Sequence, residues 1–223
     1  MYTLLLNESP CEVVIIIIIS IVLILIAPNI ARKWIVGCFL IVMTFLGYFY
    51  RYPVVCSNIS ENILVSPCSG TITSISEIVV KNKPYINISA FLSPVDVHIQ
   101  YAPCEMQMIN KYHRDGGFDM AFLEKSKNNE HMVNIFNSHF GELYIIQIAG
   151  FLVRRIVSDL SPGEFVKRSD KIGMIKFGSR VDFIVPKESS KGMQLLVSPG
   201  DIVDGGLTPV VKYNESITTQ MAH

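Results

Sequence analysis

The chain has 223 residues, half of them hydrophobic, which is enough for one soluble domain with a core of ordinary size and a membrane anchor. Its 19 basic and 19 acidic residues give a formal net charge of zero, so no overall field favours nucleic acid as a partner. The five cysteines include no C-x-x-C pair, so we expect neither a zinc site nor a disulfide framework, and no metal.

The first fifty residues hold most of the hydrophobic excess. Residues 13–31 carry no charge, and after Arg32 and Lys33 residues 34–50 carry none either. Pro28 interrupts the first stretch and leaves a dense apolar run that spans about 22 Å as a helix. We therefore predict a transmembrane or monotopic helical hairpin over residues 1–53, with its turn near residues 29–33. The charge rule for membrane orientation does not decide between the two orientations, because basic residues lie at both ends of the second stretch.

Residues 54–223 form the predicted soluble domain. Short runs of alternating, β-branched residues separated by Gly, Pro, Asn and Asp indicate strands at residues 70–76, 85–89, 143–148 and 181–185. A 3.6-residue apolar period is sustained only over residues 117–126. The fold class predicted is mainly β (α+β): a compact β sandwich or barrel-sandwich domain with few, short helices.

One hexapeptide recurs within this domain. Ser161-Pro-Gly-Glu-Phe-Val returns as Ser198-Pro-Gly-Asp-Ile-Val, and such Pro-Gly turns reverse the chain between strands. Biotinyl and lipoyl carrier domains use similar turns, but the chain has no lysine at the tip of a tight hairpin. The interpretation as a carrier domain therefore has little support.

The Gly178–Ser179 pair is weak evidence by itself, because glycine and serine meet in many strand bends. Its weight comes from seven blocks in fixed order, which are Tyr48–Pro53, Ser66–Gly70, Phe91–His98 followed by Ala102-Pro103, Tyr112-His113 with Gly117-Phe118, Asn129-Glu130, Gln147–Gly150 with Arg154-Arg155, and Gly173–Asp182. In this order the blocks resemble the phosphatidylserine decarboxylase family, especially its short form with an N-terminal hydrophobic hairpin.

The resemblance implies that the protein makes its own cofactor. Ser179 attacks the carbonyl of Gly178, the amide becomes an ester, and β-elimination cuts the chain into residues 1–178 (β chain) and 179–223 (α chain). Ser179 becomes a pyruvoyl group, whose carbonyl forms a Schiff base with the substrate amine and withdraws electrons as carbon dioxide leaves. No external cofactor is implied.

The histidine that matches the family's essential base is His98. The family usually has S-P-A-D-G where this chain has Ser-Pro-Cys-Ser-Gly, so Ser69 replaces the acid expected to orient that histidine. Asp96, two residues before His98, is a candidate substitute, although sharing His98's face on a strand does not by itself bring its carboxylate to the ring. A single-turnover maturation tolerates slow chemistry, and we expect slow self-cleavage.

Three further residues are candidate substrate contacts. His113 lies in a matched block, and Arg154 and Arg155 suit a lipid phosphate because arginine binds phosphate with two parallel hydrogen bonds. A solvated strand edge explains the two arginines equally well.

The function predicted is a membrane-anchored, pyruvoyl-dependent decarboxylase that converts phosphatidylserine to phosphatidylethanolamine and carbon dioxide. Its partners are then the phospholipid membrane, its substrate and its own cleaved fragment, with a catalytic domain on the cytosolic side; family members tend to dimerise. The alternatives are a pyruvoyl decarboxylase acting on a soluble amino acid, and a degenerate, uncleaved homologue that binds anionic phospholipid without catalysis.

Overall fold

The computed structural model describes residues 2–4, 10–55, 58–114, 130–150, 156–158, 160–175, 179–187 and 192–214. The chain separates into two compact units, Met1–Val54 and Val55–His223. Two helices and sixteen strands are present among the described residues, and the prediction of a mainly β protein with an N-terminal helical pair is confirmed. The helical period at residues 117–126 falls outside the described residues.

The helices are α1, Pro10–Ile26, and α2, Asn29–Phe49. The strands are β1 Tyr2–Leu4, β2 Arg51–Pro53, β3 Ile63–Val65, β4 Gly70–Val80, β5 Lys83–Leu92, β6 Ile99–Tyr101, β7 Met106–Arg114, β8 His131–Ser138, β9 Gly141–Ile148, β10 Ile156–Ser158, β11 Phe165–Val166, β12 Lys171–Ile175, β13 Ser179–Pro186, β14 Gln194–Leu195, β15 Ile202–Val203 and β16 Pro209–Lys212.

The first unit is a helical hairpin whose break lies slightly earlier than predicted. Pro28 lacks an amide hydrogen and disfavours the helical conformation of the residue before it, so α1 ends at Ile26 and α2 begins at Asn29. Arg32 therefore lies in the first turn of α2, where its guanidinium donates to the carbonyls of Ile24 (3.0 Å) and Ala27 (3.2 Å). These bonds satisfy carbonyls that the end of α1 leaves without helical partners.

The two ends of the helical hairpin are joined by a short ribbon. Strand β1, before α1, pairs antiparallel with β2, after α2, so that Tyr2 lies opposite Pro53. The chain therefore enters and leaves the hairpin at the same end.

The second unit is built on an open, eight-stranded antiparallel sheet of order β11-β7-β8-β9-β13-β5-β4-β15. Two three-stranded sheets, β10-β12-β6 and β14-β16-β3, accompany it. Alternate residues of the long strands face the main core, where Phe136, Leu143 and Phe183 are almost completely buried. All four strands predicted from alternation are present and longer than the pattern indicated.

The second unit contains one substructure twice. Read outward from its centre, the large sheet places β9, β8, β7 and β11 on one side, and β13, β5, β4 and β15 on the other. Strand β4 has a bulge between Ile72 and Ser74, and β7 has one at the equivalent place, between Met108 and Asn110. The two copies also exchange equivalent hydrogen bonds, since the amide of Tyr101 donates to the carbonyl of Pro67 and the amide of Val65 donates to the carbonyl of Pro103. Copy one is therefore β3–β5 with β13–β16, and copy two, β6–β12, is inserted between β5 and β13.

The repeated hexapeptides occupy equivalent places in the two copies. Gly163 and Gly200 both adopt a positive φ, 91° and 99°, as the third residue of their turns. The amide of Gly163 donates a hydrogen bond to the carbonyl of Met108 in β7, and the amide of Gly200 donates one to the carbonyl of Ile72 in β4. The sequence echo therefore marks the duplication.

Candidate active site

Ser179 is the first residue of β13, the strand that runs between β5 and β9. It is 0% exposed and lies opposite Leu92 of β5. Strand alternation directs its side chain to the face of Val181 and Phe183, which belong to the main core. Its hydroxyl oxygen is buried and has no hydrogen-bond partner among the described residues. Leaving a buried hydroxyl without a partner costs about 1–3 kcal/mol, so the burial of this group calls for an explanation.

His98 is buried just before β6, with 1% of its surface exposed. Its ring nitrogen Nδ1 lies 2.9 Å from the main-chain oxygen of Asp96. Its own main-chain oxygen accepts a hydrogen bond of 3.1 Å from the amide of Ile175, four residues before Ser179. One end of the segment between β12 and β13 is therefore tied to His98, and the other end begins β13.

Asp96 lies in a turn and not on the strand that the sequence suggested. Its carboxylate accepts a 2.7 Å hydrogen bond from the amide of Ser93, and its own amide donates to the carbonyl of Ser93 over 2.9 Å. The carboxylate therefore closes the turn, while the carbonyl of the same residue meets the ring of His98.

The Ser66–Gly70 block packs against the end of β5 that pairs with Ser179. Gly70 has φ +146°, and a Cβ there would lie 2.3 Å from the carbonyl oxygen of Phe91. Only glycine permits this approach of the two backbones. The amide of Tyr101 donates to the carbonyl of Pro67, so the block also contacts β6, next to His98. Ser69, Asp96, His98 and Ser179 are therefore gathered at one end of the large sheet.

The hydroxyl of Ser69 is used within the block's own surroundings. It accepts a 3.0 Å hydrogen bond from the amide of Gly205 and so ties the block to the loop that precedes β16. The neighbouring thiol, Cys68, is 1% exposed, and burial raises its pKa to about 12. Cys68 is therefore a neutral thiol near pH 7 and a poor nucleophile.

A chain of buried amides borders this site, and sequence reasoning gave it no role. Gln100 donates to the carbonyl of His98 (3.0 Å) and accepts from Gln147 (2.8 Å), which in turn accepts from Asn134 (3.0 Å). Asn134 accepts from the hydroxyl of Ser158 (2.8 Å). The sequence signal that could have identified these amides is a polar residue at an inward-facing position of an otherwise apolar strand, such as Asn134 in β8. These bonds link β6, β8, β9 and β10 behind His98.

A buried ion pair lies on the opposite face of β13. The guanidinium of Arg180 binds both carboxylate oxygens of Asp182, at 2.7 and 3.1 Å, and the hydroxyl of Ser89 at 2.9 Å. Arg180 and Asp182 are only 7% and 8% exposed. The pair fixes which face of β13 turns away from the core, and with it the face on which Ser179 lies.

Of the remaining predicted site residues, the structure describes His113. His113 is on β7, in the cross-sheet row that includes Val181 three strands away, and its Nε2 lies 2.8 Å from the carboxylate of Glu130. Gly178, Arg154 and Arg155 lie outside the described residues. No group of three or more His, Cys, Asp or Glu residues in the described ranges is arranged to hold a metal ion.

Comparison with known proteins gives one consistent result. Residues 42–211 match the family model described as phosphatidylserine decarboxylase. A putative archaetidylserine decarboxylase proenzyme of Methanothermobacter thermautotrophicus is 34% identical over 188 residues, covering 78% of this chain and 82% of the relative. Phosphatidylserine decarboxylase proenzymes of Carboxydothermus hydrogenoformans (35%, covering 74% and 78%) and Chlorobium chlorochromatii (34%, covering 83% and 87%) are similar.

The match extends over most of the chain and includes positions 69, 96, 98 and 179. The chain belongs to the phosphatidylserine decarboxylase family.

Proposed function

We propose that the protein is a membrane-anchored, pyruvoyl-dependent decarboxylase that converts phosphatidylserine to phosphatidylethanolamine and carbon dioxide. We further propose that it becomes active by cutting itself between Gly178 and Ser179. Family membership and the proenzyme names of the relatives support this proposal. The observation that carries it is the buried hydroxyl of Ser179, which has no hydrogen-bond partner within the part of the chain that the structure describes.

Self-cleavage begins with attack by the Ser179 hydroxyl oxygen on the carbonyl carbon of Gly178. The new ester bond forms as the peptide C–N bond breaks, and the serine nitrogen takes up a proton as a free amine. Removal of the Cα proton of Ser179 then expels Gly178 as a carboxylate and leaves a dehydroalanine. Tautomerisation and hydrolysis consume one water, release ammonia and leave the pyruvoyl group on residues 179–223.

His98 is the proposed base for the first step. A carbonyl oxygen only accepts hydrogen bonds, so contact with the carbonyl of Asp96 keeps the proton of the neutral ring on Nδ1. Nε2 then carries the lone pair and is the nitrogen able to take the serine proton.

The residues present suit a pyruvoyl group at position 179. The position is fully buried and lies at the end of the sheet where β5 and β13 meet. The group supplies a carbonyl that accepts electrons as the carboxylate of the substrate is lost. The protein's residues exclude water and hold the position of Ser179, and we propose His113, Arg154 and Arg155 as contacts for the lipid head group.

Intact mass spectrometry of purified protein tests the proposal. We expect two species, residues 1–178 and residues 179–223, with the shorter fragment blocked at its first residue by the pyruvoyl group. Incubation with vesicles containing phosphatidylserine should release carbon dioxide, whereas free serine should not react. Free serine as the better substrate would favour a soluble amino-acid decarboxylase.

A full-length chain that never shortens, together with vesicle binding and no release of carbon dioxide, would identify the uncleaved lipid-binding alternative. Prolonged incubation before measurement is needed, because we expect maturation to be slow.

The N-terminal helical hairpin is the proposed anchor. Helix α2 is long and apolar enough to cross a membrane, whereas the apolar helical stretch of α1, residues 14–26, is shorter. Twenty-one residues of helix span about 31 Å, close to the roughly 30 Å of a bilayer's hydrocarbon core. A head group that stays at the interface suits an enzyme held there by such an anchor.

The pairing of β1 with β2 predicts that the two ends of the anchor lie on the same side of the membrane. In an uncleaved Ser179→Ala background, green fluorescent protein fused to the N-terminus or to the C-terminus should fluoresce in both cases in a bacterial host. Alkaline phosphatase fused at either end should be inactive, because we place both ends in the cytosol. Opposite results for the two ends would contradict the hairpin arrangement.

A further inference from the structure

We propose that Asp96 positions the base His98 through its main-chain carbonyl, while its carboxylate serves only to hold that carbonyl in place. This inference rests on the proposed self-cleavage. It accounts for how the chain orients His98 although Ser69 supplies no carboxylate. Asp96 is on this view a positioning residue and not a member of a charged triad.

The ring of His98 contacts the main chain of Asp96 directly. Nδ1 of His98 lies 2.9 Å from the carbonyl oxygen of Asp96. A carboxylate in a catalytic triad orients the base by accepting the Nδ1 proton, and it also stabilises the cation that forms. A carbonyl accepts the same proton and selects the same tautomer without a full negative charge. It therefore supplies the orientation but less of the charge stabilisation, so we expect maturation to be slow.

The carboxylate of Asp96 is bonded within its own turn. It accepts the amide of Ser93 at 2.7 Å, and the amide of Asp96 returns a bond to the carbonyl of Ser93. Among the residues that the structure describes, three other turns close in the same way, with an acid accepting the amide three residues earlier: Ser161–Glu164, Lys167–Asp170 and Ser198–Asp201. An acid in this setting is thus a structural device that the chain uses repeatedly.

The main chain of His98 is itself held in place. Its carbonyl accepts hydrogen bonds from the amide of Ile175 and from the side chain of Gln100, which continues to Gln147. With the main chain fixed at this point and the ring fixed at Nδ1, rotation of the ring is restricted. The hydroxyl of Ser69 accepts a hydrogen bond from the amide of Gly205 and so contacts the loop before β16.

Two variants of Asp96 separate the carbonyl from the carboxylate. Asparagine keeps an acceptor for the amide of Ser93 but carries no charge, whereas alanine removes the acceptor and frees the turn. We expect D96A to slow self-cleavage of freshly synthesised protein at least about 10-fold, since general base catalysis contributes about 10²–10⁴-fold. D96N should recover most of the lost rate. Cleavage in D96N as slow as in D96A would overturn the proposal, because the charge would then be what matters.

The matched control is a turn at the far edge of the large sheet that an acid closes in the same way. Glu164 closes that turn as Asp96 closes its own, and β11, which follows it, is four strands from β13. E164A should therefore leave the cleavage rate unchanged. A slowdown in E164A equal to that in D96A would show that loosening any turn is sufficient, and would also overturn the proposal.

A spectroscopic measurement does not depend on the folding of D96A. In full-length Ser179→Ala protein labelled with ¹⁵N-histidine, the chain's five histidines give five ring systems, and a His98→Gln companion sample assigns the signal of His98. We expect the proton of the neutral ring on Nδ1; a proton on Nε2 would contradict the proposal. If the wild-type chain itself never cleaves, the proposed function fails, whereas cleavage in wild type but not in D96N removes only the role of the carbonyl.

Discussion

Replacement of Ser179 by alanine is expected to leave the 25.0 kDa chain intact and to abolish carbon dioxide release. Without the hydroxyl there is no nucleophile for the Gly178 carbonyl, no ester to eliminate and no pyruvoyl group. The loss should be complete within detection, because the same atom starts maturation and ends as part of the cofactor. Gel electrophoresis and a carbon dioxide assay on the purified protein check both parts.

Two companion variants make the result specific for the hydroxyl. Ser179→Cys keeps a nucleophile that forms a thioester in place of the ester, so some cleavage at the same bond should persist. Ser198→Ala changes an exposed serine in a turn and should cleave like the wild type. Cleavage of the Ser179→Ala chain at the same bond would show that the buried hydroxyl is not the nucleophile.

The largest effect on stability is expected from Asp182→Asn. This change removes the only carboxylate bound to Arg180 among the described residues and leaves a guanidinium that is 7% exposed without a counter-charge. Breaking one side of a buried ion pair costs about 3–5 kcal/mol of unfolding free energy. Urea unfolding followed by circular dichroism, in a Ser179→Ala background that keeps one covalent chain, measures the difference.

The matched control is Glu77→Gln, which removes the same charge from a surface pair. The carboxylate of Glu77 binds Lys187, and the two side chains are 67% and 36% exposed. Exposed pairs contribute about 0–1 kcal/mol. Equal losses in the two variants would mean that the Arg180–Asp182 pair is not sheltered from water and does not fix the orientation of β13.

Periodicity and turn chemistry predicted the fold class because these signals are local. The alternation of β-branched residues identified β4, β5, β9 and β13, and the two Pro-Gly turns were visible as a repeated hexapeptide. Strand order was not predictable in this way. Nothing local in residues 181–185 says that β13 enters the sheet between β5 and β9, since pairing partners are chosen by packing across the whole domain.

The candidate site was predicted through its motifs, and its geometry was not. The blocks containing Ser179, His98 and Ser69 were recognised, and in the structure they lie at the end of the large sheet where β5 and β13 meet. That the carbonyl and not the carboxylate of Asp96 meets the ring depends on turn geometry, which residue type alone does not encode. The link from Gln100 to Asn134 was missed because buried amides are identified by their partners, and those lie on other strands.

The insertion of one copy of the repeated substructure into the other gives the proposed cut a particular place in the molecule. Copy two joins its equivalent strands, β8 and β9, by a tight turn after Ser138, whereas copy one leaves β5 at Leu92 and returns only at Ser179. The Gly178–Ser179 bond therefore lies between β12, the last strand of the inserted copy two, and β13, the strand with which copy one resumes. Cutting there divides copy one between two polypeptides and leaves copy two whole. Strand β13 begins with Ser179, and after the proposed cut we expect it to keep its place between β5 and β9, so that the two products remain one folded body.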